Sequence, residues 1–331
     1  MEGRRPVEMR SKPELQAAIR EPGRGRAVLV VNARSRRGRR LYPKARRLLR
    51  EAGMDFVKVC PVTDPSRLGE LFADVLALEP DLIVVGGGDG TIAEAVSHLA
   101  HRDVALGVLP LGTTNNFARS LELPLDLPGA VRNLVEGKVA DVDVGWFEST
   151  GDPQGGGGED EHIFANMVSL GLSVQVAEHV PHNLKRFLGR TAYGLTAAWL
   201  LRRHTPFRAV IRANGETQEV ATHQLNIANG AHHSGQRIAR DASPDDRMLA
   251  VYRLGDERRL RLAGATVRHV LTGQWRSLSE DAFLTTGEVT VETDPPMAVD
   301  VDGEIRGRTP VRIKLHGNAL RVIVPDDFLD T

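Results

Sequence analysis

The chain has 331 residues, 43 Lys+Arg balanced by 43 Asp+Glu, and one cysteine. That length allows one large or two ordinary domains with a sizeable core. The neutral balance gives no argument for a nucleic-acid partner, and the single Cys60 excludes an internal disulfide and fits a reducing compartment. Charge is unevenly placed: Arg34–Arg50 carries nine Lys/Arg, while Glu148–Glu161 is acidic and glycine-rich. The first twenty residues are charged throughout, so no signal peptide is read there. The longest apolar run, Ala192–Leu201, is too short to span a bilayer. The expectation is a soluble, cytoplasmic chain without a transmembrane segment.

Residues 1–25, with Pro6, Pro13 and Pro22, read as a flexible lead-in holding one short helix near Pro13–Ile19. Ala27–Val31 is a buried strand, followed by the polar turn Asn32–Gly38 and an amphipathic helix through Leu41, Ala45, Leu48 and Leu49. Phe56–Val59 reads as a second strand, and Thr63-Asp64-Pro65-Ser66 opens a helix running to Leu78. Leu82–Val85 is an apolar run without alternation, as in strands covered on both faces. Gly86-Gly87-Gly88 then lets the backbone turn sharply, and Asp89-Gly90-Thr91 leads into helical spacing through Ile92 and Val96. A helix start at that place is a seat for anions. Asp89 inside it makes sense if a cation or a hydroxyl proton shares the site. Ala105–Pro110 is a fourth strand, ending in Leu111-Gly112-Thr113-Thr114-Asn115-Asn116. Alternating strands and helices predict a doubly wound parallel sheet over residues 26–140, with ligands at the carboxyl ends of its strands.

Past residue 140 the pattern changes. Asp141–Phe147 and His162–Leu170 read as strands around the loop Gly151–Gly158. Further strands are expected at Arg208–Ala213, Val220–Ile227, Leu249–Arg253, Val289–Thr293, Met297–Val301 and Val311–Leu315, with helices near Thr191–Arg203 and Leu260–Leu271. Residues 141–319 thus read as a β-sandwich domain. The stretch 320–331, with Leu320–Val324, reads as another strand of it or as a return to the first domain.

Three motifs carry the chemistry: Gly87-Gly88-Asp89-Gly90-Thr91, Leu109-Pro110-Leu111-Gly112-Thr113-Thr114-Asn115, and Val301-Asp302-Gly303-Glu304. In this order they resemble the diacylglycerol kinase catalytic-domain family of lipid kinases, over about residues 27–325. The first motif alone is shared with NAD kinases and phosphofructokinases. The resemblance implies an ATP- and Mg²⁺-dependent lipid kinase of phospholipid metabolism, with its site between an α/β domain and a β-sandwich. It implies that Asn32, Ser35, Thr63, Gly87, Gly88, Asp89, Gly90, Thr91, Glu94 and Thr113 surround the nucleotide. It makes Asp302 the base that takes the hydroxyl proton, with Glu304 beside it and Asp89 as the competing candidate. Asp143 matches a further site acid, Asp143 and Lys185 are candidates to reach the crevice, and Ser243, Asp246 and Met248 match a structural magnesium site.

Three motifs depart from the family pattern. Asn-Pro-x-Ser-Gly is here Asn32-Ala33-Arg34-Ser35-Arg36; an aspartate is replaced by Asn116; and a glycine is replaced by Arg247, which argues against the structural ion. A lipid substrate implies transient contact with a membrane surface, for which the Arg34–Arg50 face and Thr191–Arg203 are candidates. The chain is compatible with a homodimer. Two alternatives stay open: an NAD-kinase-like enzyme acting on a soluble nucleotide, and a nucleotide-binding regulatory module with impaired chemistry. The dipeptide His232-His233 lacks a third ligand at metal spacing and reads as a surface loop.

Overall fold

The structure, a computed structural model, describes residues 9–21, 26–149, 161–179, 205–230, 232–233, 236–237, 244–254 and 282–330. The chain divides into two compact units. The first joins Met1–Val144, Ser243–Arg247 and His316–Thr331; the second joins Gly145–Ala242 and Met248–Leu315.

In chain order the first unit holds α1 (Lys12–Arg20), β1 (Ala27–Asn32), α2 (Arg36–Glu51), β2 (Lys58–Val62), α3 (Leu68–Leu76), β3 (Leu82–Gly87), α4 (Asp89–Leu99), β4 (Ala105–Pro110), α5 (Asn116–Ser120), α6 (Leu127–Glu136) and the start of β5 (Lys138–Ser149). Its strands lie in the order β2-β1-β3-β4, all parallel. Every residue of β3 and β4 is buried, as covering both faces of a parallel sheet requires. On one face Leu29, Val31, Val84 and Leu109 pack with Leu49, Val131 and Leu134 from α2 and α6. The chain leaves β1 toward β2 and then crosses back to β3, so its direction reverses between β1 and β3. The crevice outside the carboxyl ends of strands at such a reversal is where open α/β sheets take ligands.

The second unit continues with β6 (Glu161–Phe164), β7 (Met167–Gly171), α7 (Leu172–His179), β8 (Phe207–Ala213), β9 (Glu216–Thr222), β10 (Gln224–Ala228), β11 (His232–His233), β12 (Gln236–Arg237), β13 (Leu249–Leu254), β14 (Leu284–Thr286), β15 (Glu288–Asp294), β16 (Ala298–Val301), β17 (Glu304–Arg308) and β18 (Val311–Val324). One antiparallel sheet runs β14-β13-β10-β7-β16-β17. The other pairs the first part of β18 with β15, then β8 and β9. Val168, Leu170, Leu225, Ile227 and Val299 from the former meet Ile211, Val289, Val291 and Ile313 from the latter in one core. This is the antiparallel β-sandwich expected beside a doubly wound parallel domain. The later part of β18 lies beside β4 in the first unit, with Arg321 opposite Ala105.

Several elements differ from the sequence reading. Residues 9–21, read as part of a flexible lead-in, are docked: Leu15 is fully buried, and Arg10 pairs with Asp81 at 2.7 Å and Asp103 at 2.6 Å. The strand expected at Phe56–Val59 is Lys58–Val62, with the Val57 amide donating to the Ala27 carbonyl at the start of its pairing with β1. The run His162–Leu170 breaks at Ala165-Asn166, where the amides turn aside to a carboxylate. The run Val220–Ile227 breaks at His223, where the chain passes from one sheet to the other. Val311–Leu315 and Leu320–Val324 are parts of one strand. Helix α6, capped by the Asp126 carboxylate on the Gly129 amide at 2.9 Å, is an element the sequence reading missed. The helices expected near Thr191–Arg203 and Leu260–Leu271, the loop Gly151–Gly158, and Lys185 lie outside the described residues.

Gly145 stands opposite Phe164 on paired strands, and a β-carbon there would come within 2.0 Å of the ring. Gly145→Ala is expected to lower unfolding stability by about 1–3 kcal/mol, the usual cost of an overpacked core. Gly287→Ala, whose β-carbon meets nothing within 4 Å, should change it far less. Urea denaturation of both variants checks this.

Candidate active site

The nucleotide residues read from the first unit follow the carboxyl ends of parallel strands. Asn32 ends β1, and its Nδ2 donates to Thr91 Oγ1 at 2.9 Å, tying the β1 turn to the first turn of α4. Ser35 caps α2 by accepting from the Gly38 amide at 2.8 Å. Thr63 is exposed just after β2, and Val62 O accepts the Ala33 amide at 2.8 Å, which holds the β1 and β2 turns side by side. Gly87 ends β3, and Gly88 precedes α4 without a side-chain cap. The Thr91 and Ile92 amides both donate to the Gly88 carbonyl, at 3.0 and 3.1 Å. The earlier amides of α4 have no acceptor within the helix and carry its positive end.

Asp89 occupies that positive end. Its Oδ2 accepts the Thr114 hydroxyl and its Oδ1 the Asn116 amide, each at 2.5 Å. One carboxylate therefore staples the turn after β3 to the turn after β4. The two turns also touch directly: a β-carbon on Gly112 would lie 2.5 Å from the Gly88 Cα, so this approach requires glycine. Asn115 adopts a left-handed conformation (φ 50°) and accepts the Gly112 amide at 2.9 Å. Arg119 Nε donates to the Thr114 carbonyl at 2.8 Å. Thr113 is exposed in the same turn, and Gly90 has open space where a β-carbon would be. Glu94, one turn into α4, lies 3.2 Å from His98 Nε2, whose ring stacks on Phe72.

Asp143 is fully buried. Its carboxylate accepts the Arg247 amide at 2.8 Å and the Asn318 amide at 2.9 Å, while its own amide donates to Pro244 O at 2.7 Å. Asp143 therefore braces the turn at residues 244–247. Arg247 stands there at φ 58°, the left-handed conformation that glycine would adopt without strain. Of the residues read as the structural ion site, Asp246 and Met248 flank Arg247, and Ser243 lies outside the described residues. Among the described residues no group of three or more His, Cys, Asp or Glu is placed to hold a metal.

In the second unit Asp302 and Gly303 form the two-residue turn between β16 and β17, both at positive φ (49° and 96°). Its carboxylate accepts three successive amides: Ala165 on Oδ2 at 2.6 Å, and Asn166 and Met167 on Oδ1 at 2.9 and 3.0 Å. Desolvation pushes the Asp302 carboxyl up to about 6, against the downward pull of those amides and of the Asn166 side chain. Glu304 is exposed and pairs with Arg306. Thr114 and Asn166 are functional candidates that sequence reasoning passed over. Thr114 lay inside a quoted motif, and Asn166 was a polar residue between the apolar stretches Ile163–Ala165 and Met167-Val168.

Residues 26–147 match the family model of the diacylglycerol kinase catalytic domain, and residues 166–324 match that of the YegS C-terminal NAD kinase beta sandwich-like domain. The chain belongs to the diacylglycerol kinase catalytic-domain family, and that places it among kinases. A protein provisionally named a lipid kinase, from Staphylococcus carnosus (strain TM300), is 28% identical over 282 residues, covering 84% of this chain and 85% of its own length. Another, from Staphylococcus aureus (strain MRSA252), is 28% identical over 279 residues, covering 83% and 84%. A solved diacylglycerol kinase from Bacillus anthracis str. Sterne shares the fold at a TM-score of 0.70 with 23% identity, over 90% of this chain and 96% of that one. Yeast NADH kinase complexed with NADH is more distant, at 0.52 and 12%, over 92% and 85%.

Asp143→Ala leaves the Arg247 and Asn318 amides without their acceptor. It is expected to lower unfolding stability by about 1–3 kcal/mol, the range for unsatisfied buried polar groups. Denaturant midpoints of the variant and the parent chain measure it.

Proposed function

We propose that the chain is an ATP-dependent lipid kinase that transfers the γ-phosphoryl group to a hydroxyl of diacylglycerol or a related lipid. The observation that carries this reading is the pair of glycine turns clasped by Asp89 at the positive end of α4. Backbone amides, a close glycine contact and one carboxylate suit a phosphate chain that brings a divalent cation with it. Asp89 is the residue that would hold Mg²⁺ together with phosphate oxygens. When bound, the ion neutralises charge that develops on the transferring group.

The protein's own residues do the rest. Asn32, Ser35, Thr63, Gly87, Gly88, Gly90, Thr91, Glu94 and Thr113 surround the nucleotide in this reading. The acceptor oxygen bonds to the γ-phosphorus as that phosphorus parts from the β–γ bridging oxygen. ADP leaves with the electron pair, and the hydroxyl proton passes to the Asp302 carboxylate. Glu304 adds negative charge beside the turn. The assignment of Ser243, Asp246 and Met248 to a structural Mg²⁺ belongs to the same proposal, with Arg247 standing among them in a left-handed conformation as the residue that weighs against it. Among the described residues no helix is long and apolar enough to cross a membrane. Lipid access then comes from transient contact at a membrane surface, for which the exposed Arg37, Arg39, Arg40, Arg46, Arg47 and Arg50 of α2 are the described candidates.

Asp89→Asn should lower ATP-dependent lipid phosphorylation by at least about 10²-fold, as expected for a group placed at transferring charge. Turnover within twofold of the parent chain at saturating Mg-ATP would remove Asp89 from the chemistry. Asp302→Asn should lower kcat by about 10²–10⁴-fold with ATP affinity little changed, because a proton acceptor acts in the transition state. Calorimetric ATP binding beside turnover separates the two effects.

The pH dependence has a definite sign. The carboxyl is active when ionised, so kcat/KM should fall as pH drops through about 6, where Asp302 takes up its proton. Stability moves the other way. A carboxyl raised from 3.8 to about 6 favours the folded state when protonated, so its contribution is full below pH 3.8 and is lost as pH rises through about 6. Rate profiles and thermal melts of the parent chain and Asp302→Asn between pH 4 and pH 8, about two units either side of that value, should show both limbs vanish in the variant.

A further inference from the structure

The Asp89 carboxylate is oriented by donors from another turn. A carboxylate offers about four lone-pair sites. The Thr114 hydroxyl takes one on Oδ2 and the Asn116 amide takes one on Oδ1, each at 2.5 Å. About one site on each oxygen is left for a cation. Both donors belong to the turn after β4, so the direction of the remaining sites follows that turn. Asn115 fixes its beginning: the side chain accepts the Gly112 amide at 2.9 Å and donates to the Gly112 carbonyl at 3.1 Å. Arg119 holds its end, with Nε donating to the Thr114 carbonyl at 2.8 Å. The backbone that carries this arginine is anchored, because Phe117 and Ala118 are each 1% exposed. The guanidinium is half-buried, and among the described residues it pairs with no carboxylate. Thr114 thus stands between the two charged groups, its carbonyl on Arg119 and its hydroxyl on Asp89.

We propose that Arg119 is a positioning residue for the divalent cation. By holding the Thr114 carbonyl it keeps the Thr114 hydroxyl on Asp89, and so keeps the free sites of that carboxylate aimed at the ion. This role rests on the reading of Asp89 as the residue that holds Mg²⁺ together with phosphate oxygens. Mg²⁺ demands near-ideal octahedral geometry at about 2.1 Å. A carboxylate turned away from that geometry therefore weakens the ion's binding, while the glycine-turn amides that meet the phosphates stay in place. The bond carries the role and the charge does not, since Arg119 acts through a neutral carbonyl. Glutamine places its amide nitrogen as many bonds from Cα as arginine places Nε, so Arg119→Gln keeps the donor and removes the charge. Arg119→Met keeps the length and removes both.

The test is the affinity for β,γ-imido-ATP by calorimetry, once with Mg²⁺ and once with EDTA. The ratio of the two affinities measures how strongly ion and nucleotide bind together. Unfolded protein changes the stoichiometry and not the affinity, so a purely structural loss leaves the ratio where it was. Asp89→Asn sets the scale and should bring the ratio near one. Arg119→Met should lower it by about 10-fold, the size of one hydrogen bond from a charged donor, with the affinity in EDTA little changed. Arg119→Gln should restore most of it. In a Thr114→Val background the hydroxyl that links the two residues is gone. There Arg119→Met should cost much less, the non-additivity that a double-mutant cycle reads for coupled residues. A ratio untouched by Arg119→Met, equal losses in Arg119→Met and Arg119→Gln, or losses that simply add to that of Thr114→Val overturns the inference. In each of these cases a low ratio for Asp89→Asn leaves the Asp89 reading in place. A ratio that Asp89→Asn leaves at the parent value overturns both.

Discussion

The first unit depends on one carboxylate at the positive end of one helix. Asp89 follows directly on the glycines that end β3, so its position is set by the strand before it and the helix after it. Its two oxygens take the Thr114 hydroxyl and the Asn116 amide. Without that clasp the turn after β4 has no charged link to the turn after β3. The glycine contact between Gly88 and Gly112 is the steric counterpart of the same link. The β1 turn joins through Asn32 and Thr91, so three strand ends are coupled around one helix start. The departure at Asn116 matters less than its side chain suggests, because the backbone amide makes the bond to Asp89.

The clasp also shows which parts of this protein were legible in the sequence. The strands at residues 27–32, 82–87 and 105–110 were plain because burial on both faces leaves an unbroken apolar run. The glycines after the second and third of these strands were plain as residues, and what they serve is close approach, since Gly88 keeps an ordinary extended backbone while a β-carbon on Gly112 would meet its Cα. Other elements were hidden by contacts distant in sequence. The strand β2 is half-exposed and contains Pro61, so neither an apolar run nor a clean alternation marks it. The break at Ala165-Asn166 is caused by a carboxylate at position 302, which no local pattern can announce. Helix α6 was legible in principle, since Asp126 and Pro128 are ordinary start signals.

The site residues divide in the same way. Asp89 and Asp302 were expected as site residues because motifs carried them, while their hydrogen-bond partners are seen only in the fold. Asp143 illustrates the difference. The resemblance offered it as a site acid, and the structure places it fully buried, holding two amides of the turns at 247 and 318. Its role in the fold is clear on geometry alone. A left-handed Arg247 is tolerated because that carboxylate fixes its amide, and such fixing is how strained backbone persists in a folded chain. The sequence could name the substitution at 247 but not the bond that accommodates it.

Asp302 presents the opposite balance. A carboxylate that accepts three amides is usually a strong acid, since each donor favours the charged form. Such a group would be a poor proton acceptor at neutral pH. Burial works against the amides, and the outcome is a carboxyl pushed up to about 6. The amides are then best understood as fixing where the carboxyl sits, and desolvation as fixing how strongly it holds a proton. A general base needs both, a defined position and an affinity near the working pH. The left-handed pair Asp302-Gly303 supplies the position with two residues of a hairpin turn. In the proposed reading, the same dipeptide that forms a hairpin turn also supplies the base, because the turn delivers the carboxyl into a ring of amides while burial offsets their pull toward a stronger acid.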